Sequence, residues 1–138
     1  MILQPTGTWS GGTTLATENH QVGISLGDSF YLSDSTDPLP DLEWIHLGAT
    51  YDADSGQILF YVNGQQWGNA VSGATGSSRY FTDLWPCYGA ISDTQCQDLD
   101  WAAAEAYERV LTPTEVGEIY SRLLDNVARG MWFLVSNF

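Results

Sequence analysis

The chain has 138 residues, one domain by length, and a chain of this size buries roughly two-thirds of its extended surface, enough for a core without metal or disulfide staples. Hydrophobic residues make up 43% and charged residues 15%, with 6 Trp, 7 Tyr and 5 Phe, which excludes a disordered segment. Four arginines (Arg79, Arg109, Arg122, Arg129), no lysine and seventeen acidic residues give a net charge of -13, which excludes the basic footprint of nucleic-acid or anionic-membrane binding.

The first residues, MILQPTGTWS, have neither a basic start nor a long apolar stretch, so no standard signal peptide is expected there. No apolar run approaches the ~20 residues of a membrane-spanning helix. Met1 to Gly12 carries no clear element. His20 to Leu26 alternates, with Val22, Ile24 and Leu26 on one face. Gly27-Asp28 supplies a turn, and Ser29 to Ser33 reads as a second strand with Phe30 and Leu32 on one face. The pattern predicts a hairpin. Ser33 to Asp41 is polar, carries Pro38 and Pro40, and reads as a loop.

Trp44 to Tyr51 and Gln57 to Val62 read as two strands joined by the turn-rich Asp52-Ala53-Asp54-Ser55-Gly56. Ile58, Phe60 and Val62 share one face of the second strand, and Leu59 and Tyr61 share the other. Apolar residues on both faces predict a central strand. Asn63-Gly64 then forces a reversal. Gly68 to Ser78 is Gly/Ser/Ala-rich and reads as a long loop, and Tyr80 to Leu84 and Pro86 to Ile91 as further strands.

Asp100 to Leu111 carries two signals. WAAAEAYERVL has high helix propensity, yet Trp101, Glu105 and Tyr107 alternate with Ala102, Ala104 and Ala106. Local propensity alone favours helix. Thr112-Pro113-Thr114-Glu115 combines capping-box spacing with proline at the first helical position. Val116, Ile119, Tyr120, Leu123 and Leu124 follow at helical spacing, which predicts a helix from about Pro113 to Leu124. Met131 to Ser136 reads as a terminal apolar strand.

The segment WIHLGATYDADSGQILFYVNG resembles the laminin-G-like family of concanavalin-A-like β-sandwiches. Trp44, His46, Ala49, Thr50, Tyr51, Asp52, Gly56, Tyr61, Asn63 and Gly64 match its pattern position by position. Pro86-Cys87-Tyr88-Gly89-Ala90 is similar to a later family strand. Tyr107-Glu108-Arg109-Val110-Leu111-Thr112, with Glu115 and Tyr120, is similar to its closing strand, turn and short helix. The resemblance spans about Val22 to Leu124 and turns Trp101 to Tyr107 from helix to strand. Two departures stand out. Ala102 occupies a position where the family usually carries Asp, and only 43 residues precede Trp44. The sandwich is therefore trimmed, or a segment such as Met131 to Ser136 fills the gap.

The same sandwich hosts glycosidases, whose retaining members need two carboxylates about 5 Å apart. The sequence offers Asp98-x-Asp100 but no Glu-x-Asp-x-Glu pattern, so Asp98 and Asp100 read as loop carboxylates. There is no Gly-x-Ser-x-Gly elbow and no His-Glu-x-x-His, and His20 and His46 are the only histidines. His46 falls at a structural position of the family. Asp52 and Asp54 flank a turn and are candidate calcium ligands, although shaping the turn is the plainer role. Cys87 and Cys96 lie nine apart around a polar loop and could close a small disulfide outside the reducing cytosol. Two cysteines alone make no zinc site. Trp67, Tyr80 and Trp85 lie in or near turns and are candidate sugar-stacking residues, with core packing the commoner use of such rings.

The expected fold is all-β: one laminin-G-like domain over residues 1–138, an antiparallel jelly-roll β-sandwich with one short helix near its C-terminus. Residues 1–12 and 131–138 are candidate interface arms. The expected function is non-catalytic, a structural and interaction module of a larger assembly. A free-standing, lysine-free domain that starts at its own Met without a signal peptide suits a virion component, a capsid decoration, tail or fibre protein with a capsid or tail protein as partner. The alternative is a secreted or surface carbohydrate-binding lectin with a glycan ligand, and a trimmed glycosidase is a third. No cofactor is expected beyond the candidate calcium. The acidity reads as a solvated, self-repelling surface, with adaptation to salt or a preference for cations as the sharper reading.

Overall fold

A computed structural model describes residues 13–18, 21–26, 29–39, 44–75, 105 and 107–128. The described part is mostly β, with two antiparallel three-stranded sheets and one helix. The first sheet holds β1 (Thr13–Glu18), β2 (Gln21–Leu26) and β3 (Ser29–Leu32) in chain order. The second holds β4 (Leu47–Asp52), β5 (Gln57–Val62) and β6 (Gln65–Gln66), also in chain order. The helix α1 spans Pro113–Ala128.

The predicted hairpin forms as β2 and β3, with Ile24 opposite Tyr31 and Ser25 opposite Phe30. Val22, Ile24 and Leu26 are fully buried. On the reverse face the Phe30 ring lies across Gly23, where a Cβ would stand 2.5 Å from Phe30 Cζ and 2.8 Å from Leu32 Cδ2. Only glycine leaves room for that crossing. β1 was not expected. Its sequence TTLATE has a single large apolar residue and so no alternating apolar face, and its β-branched threonines were the available signal.

β4 begins at Leu47, three residues later than the predicted start at Trp44. The reason lies in the next turn. The His46 N–H donates to Asn63 Oδ1 at 2.9 Å, so a side chain takes the place of a backbone partner there. Trp44 is 42% exposed. Asn63 and Gly64 both have positive φ, 50° and 74°, as a two-residue hairpin turn of the primed type demands. The helix closes over this turn: a Cβ on Gly64 would lie 2.9 Å from the Tyr120 Cβ. The predicted loop after Gly68 is seen as far as Thr75, with Val71 making an isolated bridge to Ile58.

β5 is the middle strand of its sheet, as its two apolar faces predict. Ile58, Phe60 and Val62 join Leu47, Ala49, Tyr51, Ala74 and the buried face of β2 in one core. Tyr61 turns the other way and joins Leu111, Val116, Ile119 and Leu123 in a second core, with Leu59 and Tyr107 packed against it. The second sheet is thus covered on one face by residues of the first sheet and on the other by α1.

The helix starts at Pro113 as predicted but runs one turn beyond Leu124, to Ala128. No helix breaker occurs before Gly130. Leu124 is 50% exposed, outside the buried stripe of Val116, Ile119 and Leu123. The capping box closes as its spacing requires. The Thr112 N–H donates to Glu115 Oε2 at 2.8 Å, and the Glu115 N–H donates to Thr112 Oγ1 at 3.3 Å. Upstream, Glu105 lies in a β-bridge and residues 107–112 are not helical, against the propensity of WAAAEAY. Residues 101–104 and 106, Gly27-Asp28, the strands predicted at 80–84 and 86–91, and both candidate arms lie outside the described residues.

Leu123 is 3% exposed under the helix. Replacing it with Ala is expected to cost about 2–5 kcal/mol in denaturant melts. A loss below about half a kcal/mol would place this face in solvent.

Candidate functional site

A cluster of polar side chains gathers on the face of the second sheet that α1 covers. His46 precedes β4, and its Cε1 sits 3.6 Å from where a Gly48 Cβ would stand, beside the Cβ of Tyr61 on β5. The glycine leaves a flat place on which the imidazole lies. From the helix, Tyr120 brings its ring centroid to 5.8 Å from that of His46, tilted by 37°. His46 is only 7% exposed, and neither ring nitrogen has a hydrogen-bond partner among the described residues. The hydroxyl of Tyr61, on a fully buried residue, makes no well-formed hydrogen bond among them, with the Thr50 side chain as a polar neighbour.

Burial holds the His46 imidazole neutral and pushes its pKa down from 6.5 to about 4, against the pull of the Glu105 charge. Burial likewise pushes the Tyr61 hydroxyl up.

Glu105 anchors the rim of this cluster. Its Oε1 accepts from Arg122 Nη1 at 2.9 Å and its Oε2 from Arg122 Nη2 at 2.6 Å, a two-pronged pair between the chain before the helix and the helix itself. The Tyr107 hydroxyl donates to the same Oε2 at 2.5 Å. The hydrogen bonds from Arg122 hold the Glu105 carboxyl below its ordinary range. Burial first, then the bond to Glu105, raises the Tyr107 phenol. A second fork lies at the helix start, where Arg109 Nη1 and Nη2 reach Glu115 Oε2 and Oε1 at 3.0 and 2.7 Å. With the capping bonds from Thr112, this brings the Glu115 pKa down from 4.5 to about 2.

The described residues among those singled out as ligand or metal candidates lie elsewhere. Asp52 and Asp54 sit in the β4–β5 turn, where Asp52 Oδ1 accepts the Asp54 N–H at 3.0 Å and Oδ2 accepts the Ser55 hydroxyl at 2.6 Å. Both Asp52 oxygens are engaged by the turn itself, and those bonds lower its pKa, the one from Ser55 most. Among the described residues no three His, Cys, Asp or Glu side chains gather as a metal would require. Trp67 is half-buried against the first core, and its indole nitrogen is buried without a partner.

The stretch after Trp67 is clamped to the end of the first sheet. Asp34 accepts from the Asn69 backbone and amide at 2.6 and 2.7 Å, and the Tyr31 hydroxyl exchanges bonds with Thr75 at 3.1 and 2.9 Å. Tyr80, Trp85, Cys87 and Cys96 lie outside the described residues. Of the residues singled out for binding, the described ones, Trp67, Asp52 and Asp54, lie outside the His46 cluster. Arg122 and Glu105 are 17 residues apart, so no local spacing signals their pairing.

With its carboxylate oxygens taken up by the turn, Asp52 is expected to leave the melting temperature unmoved by added calcium. A rise reversed by a chelator, and lost in the Asp52→Asn and Asp54→Asn double variant, would assign a calcium site to this turn.

In comparisons with known proteins, no family model, no curated protein and no solved structure matches the chain.

Proposed function

We propose that the chain is a laminin-G-like β-sandwich serving as a non-catalytic interaction module of a larger assembly, such as the capsid decoration, tail or fibre of a virion. One observation carries this reading. The segment that resembles the family spends its polar residues on the scaffold: Asn63 holds the His46 N–H, Asp52 shapes its own turn, and His46 and Tyr61 are buried. A segment used in this way builds a rigid support and leaves recognition to loops, edges and chain ends. The core shared by β2 with β4 and β5 supports the sandwich, because two facing sheets bury their inner sides against each other. The packing of Trp67 against that core favours this function over the lectin alternative, which needs an exposed ring as a stacking platform.

The apolar run Met131 to Val135, with Phe138, is the candidate arm of such a module, since an apolar segment of this kind would invite a partner if it were left unpaired. In sedimentation, the full chain is expected to associate as concentration rises. A chain lacking residues 131–138 should remain a folded monomer. If that shorter chain fails to fold, the segment belongs to its own core and the arm is excluded. Saturable binding on a glycan array, lost in Trp67→Ala, would favour the lectin instead.

A further inference from the structure

We propose that His46 is an acid-sensitive latch: its neutral ring lets α1 sit on the β4–β5 hairpin, and its protonation frees the helix while the first sheet stays folded. The geometry makes the ring hard to charge in place. His46 is walled in by Gly48 and Tyr61 from the sheet and by Tyr120 from the helix, and neither nitrogen has an acceptor. A charged imidazole presents two N–H donors. Buried without partners, they would be costly.

The groups around it offer little relief. Tyr61 and Tyr120 are neutral phenols. Glu105 is the counter-charge, but Arg122 and Tyr107 already occupy both of its oxygens. The remaining acids of α1 face away: Glu118 and Asp125 are exposed, and Glu115 is bound by Arg109 at the helix start. A charged His46 therefore has two escapes. It can reach water by unseating the helix, or it can take Glu105 from Arg122, which removes a tie between the helix and the chain before it. Either escape loosens α1. The first sheet shares no core residue with the helix and has no stake in the event.

The direction with pH follows from linkage. A histidine whose folded pKa lies at about 4, below its ordinary 6.5, contributes stability in full above about 6.5. That contribution is lost as pH falls from there through about 4.

The test is amide hydrogen exchange on the full chain at pH 7.5 and 4.5, corrected for intrinsic rates. The amides of α1 should lose roughly 50-fold protection relative to those of the β2–β3 hairpin. In His46→Gln and His46→Phe that ratio should not change between the two pH values. An equal loss in the variants would assign the effect to the carboxylates, and a parallel loss in hairpin and helix would show global unfolding. Either outcome overturns the latch, as does an unchanged ratio in the unmodified chain. Ring NMR of the unmodified chain decides the matter if neither variant folds. His46 titrating near its ordinary value in the folded state would also overturn it.

Discussion

The β4–β5 hairpin is apolar on both faces, and the need to bury both at once governs the rest of the described structure. Each face removed from water contributes roughly 25 cal/mol per Å² of apolar surface, and a single neighbour covers only one face. Residues of the first sheet cover Ile58, Phe60 and Val62, while α1 and Leu111 cover Tyr61. The closeness of both approaches is set by small residues. Gly23 admits the Phe30 ring across β2, and Gly64 admits Tyr120 onto the second hairpin turn.

In an acidic chain the described arginines are used locally. Arg109 and Arg122 each fork onto one glutamate, Glu115 and Glu105. Pairs as exposed as these add little to stability, so their effect is chiefly geometric. Arg109 reinforces the point at which the helix begins. Arg122 fixes where the preceding chain runs along the helix. The capping box would start the helix without either of them, but it would not say on which side the incoming chain lies.

What was legible in the sequence is what short-range chemistry determines. Val22, Ile24 and Leu26 announced a buried face by alternation, Asn63-Gly64 a tight reversal, and Thr112-Pro113-Thr114-Glu115 a helix start. β1 stayed hidden because its threonines carry no hydrophobic period, and β6 because two exposed glutamines carry none either. The end of α1 lies beyond the predicted one, at Leu124, because Val127 continues the helical spacing past it. The His46 cluster was illegible for another reason. Its members come from the residue before β4, from β5, from the segment before the helix and from the helix itself, and only folding brings Glu105 to Arg122. The sequence marked His46 as structural, and the structure agrees that the ring is buried, but its lack of partners has no counterpart in local spacing.

The alternation of β5 also decides how disturbances travel. Phe60 and Tyr61 are joined by one peptide bond, yet each belongs to a different core, and the two cores have no residue in common. Among the described residues, their side chains therefore communicate through the strand's backbone. Substitutions at Ile24 and Leu123, in separate cores, should behave almost independently, their effects adding with little interaction term. Among the described residues, cooperativity between the β2–β3 hairpin and the helix passes through two strands, whose stiffness then sets how strongly one half of the described structure responds to the other.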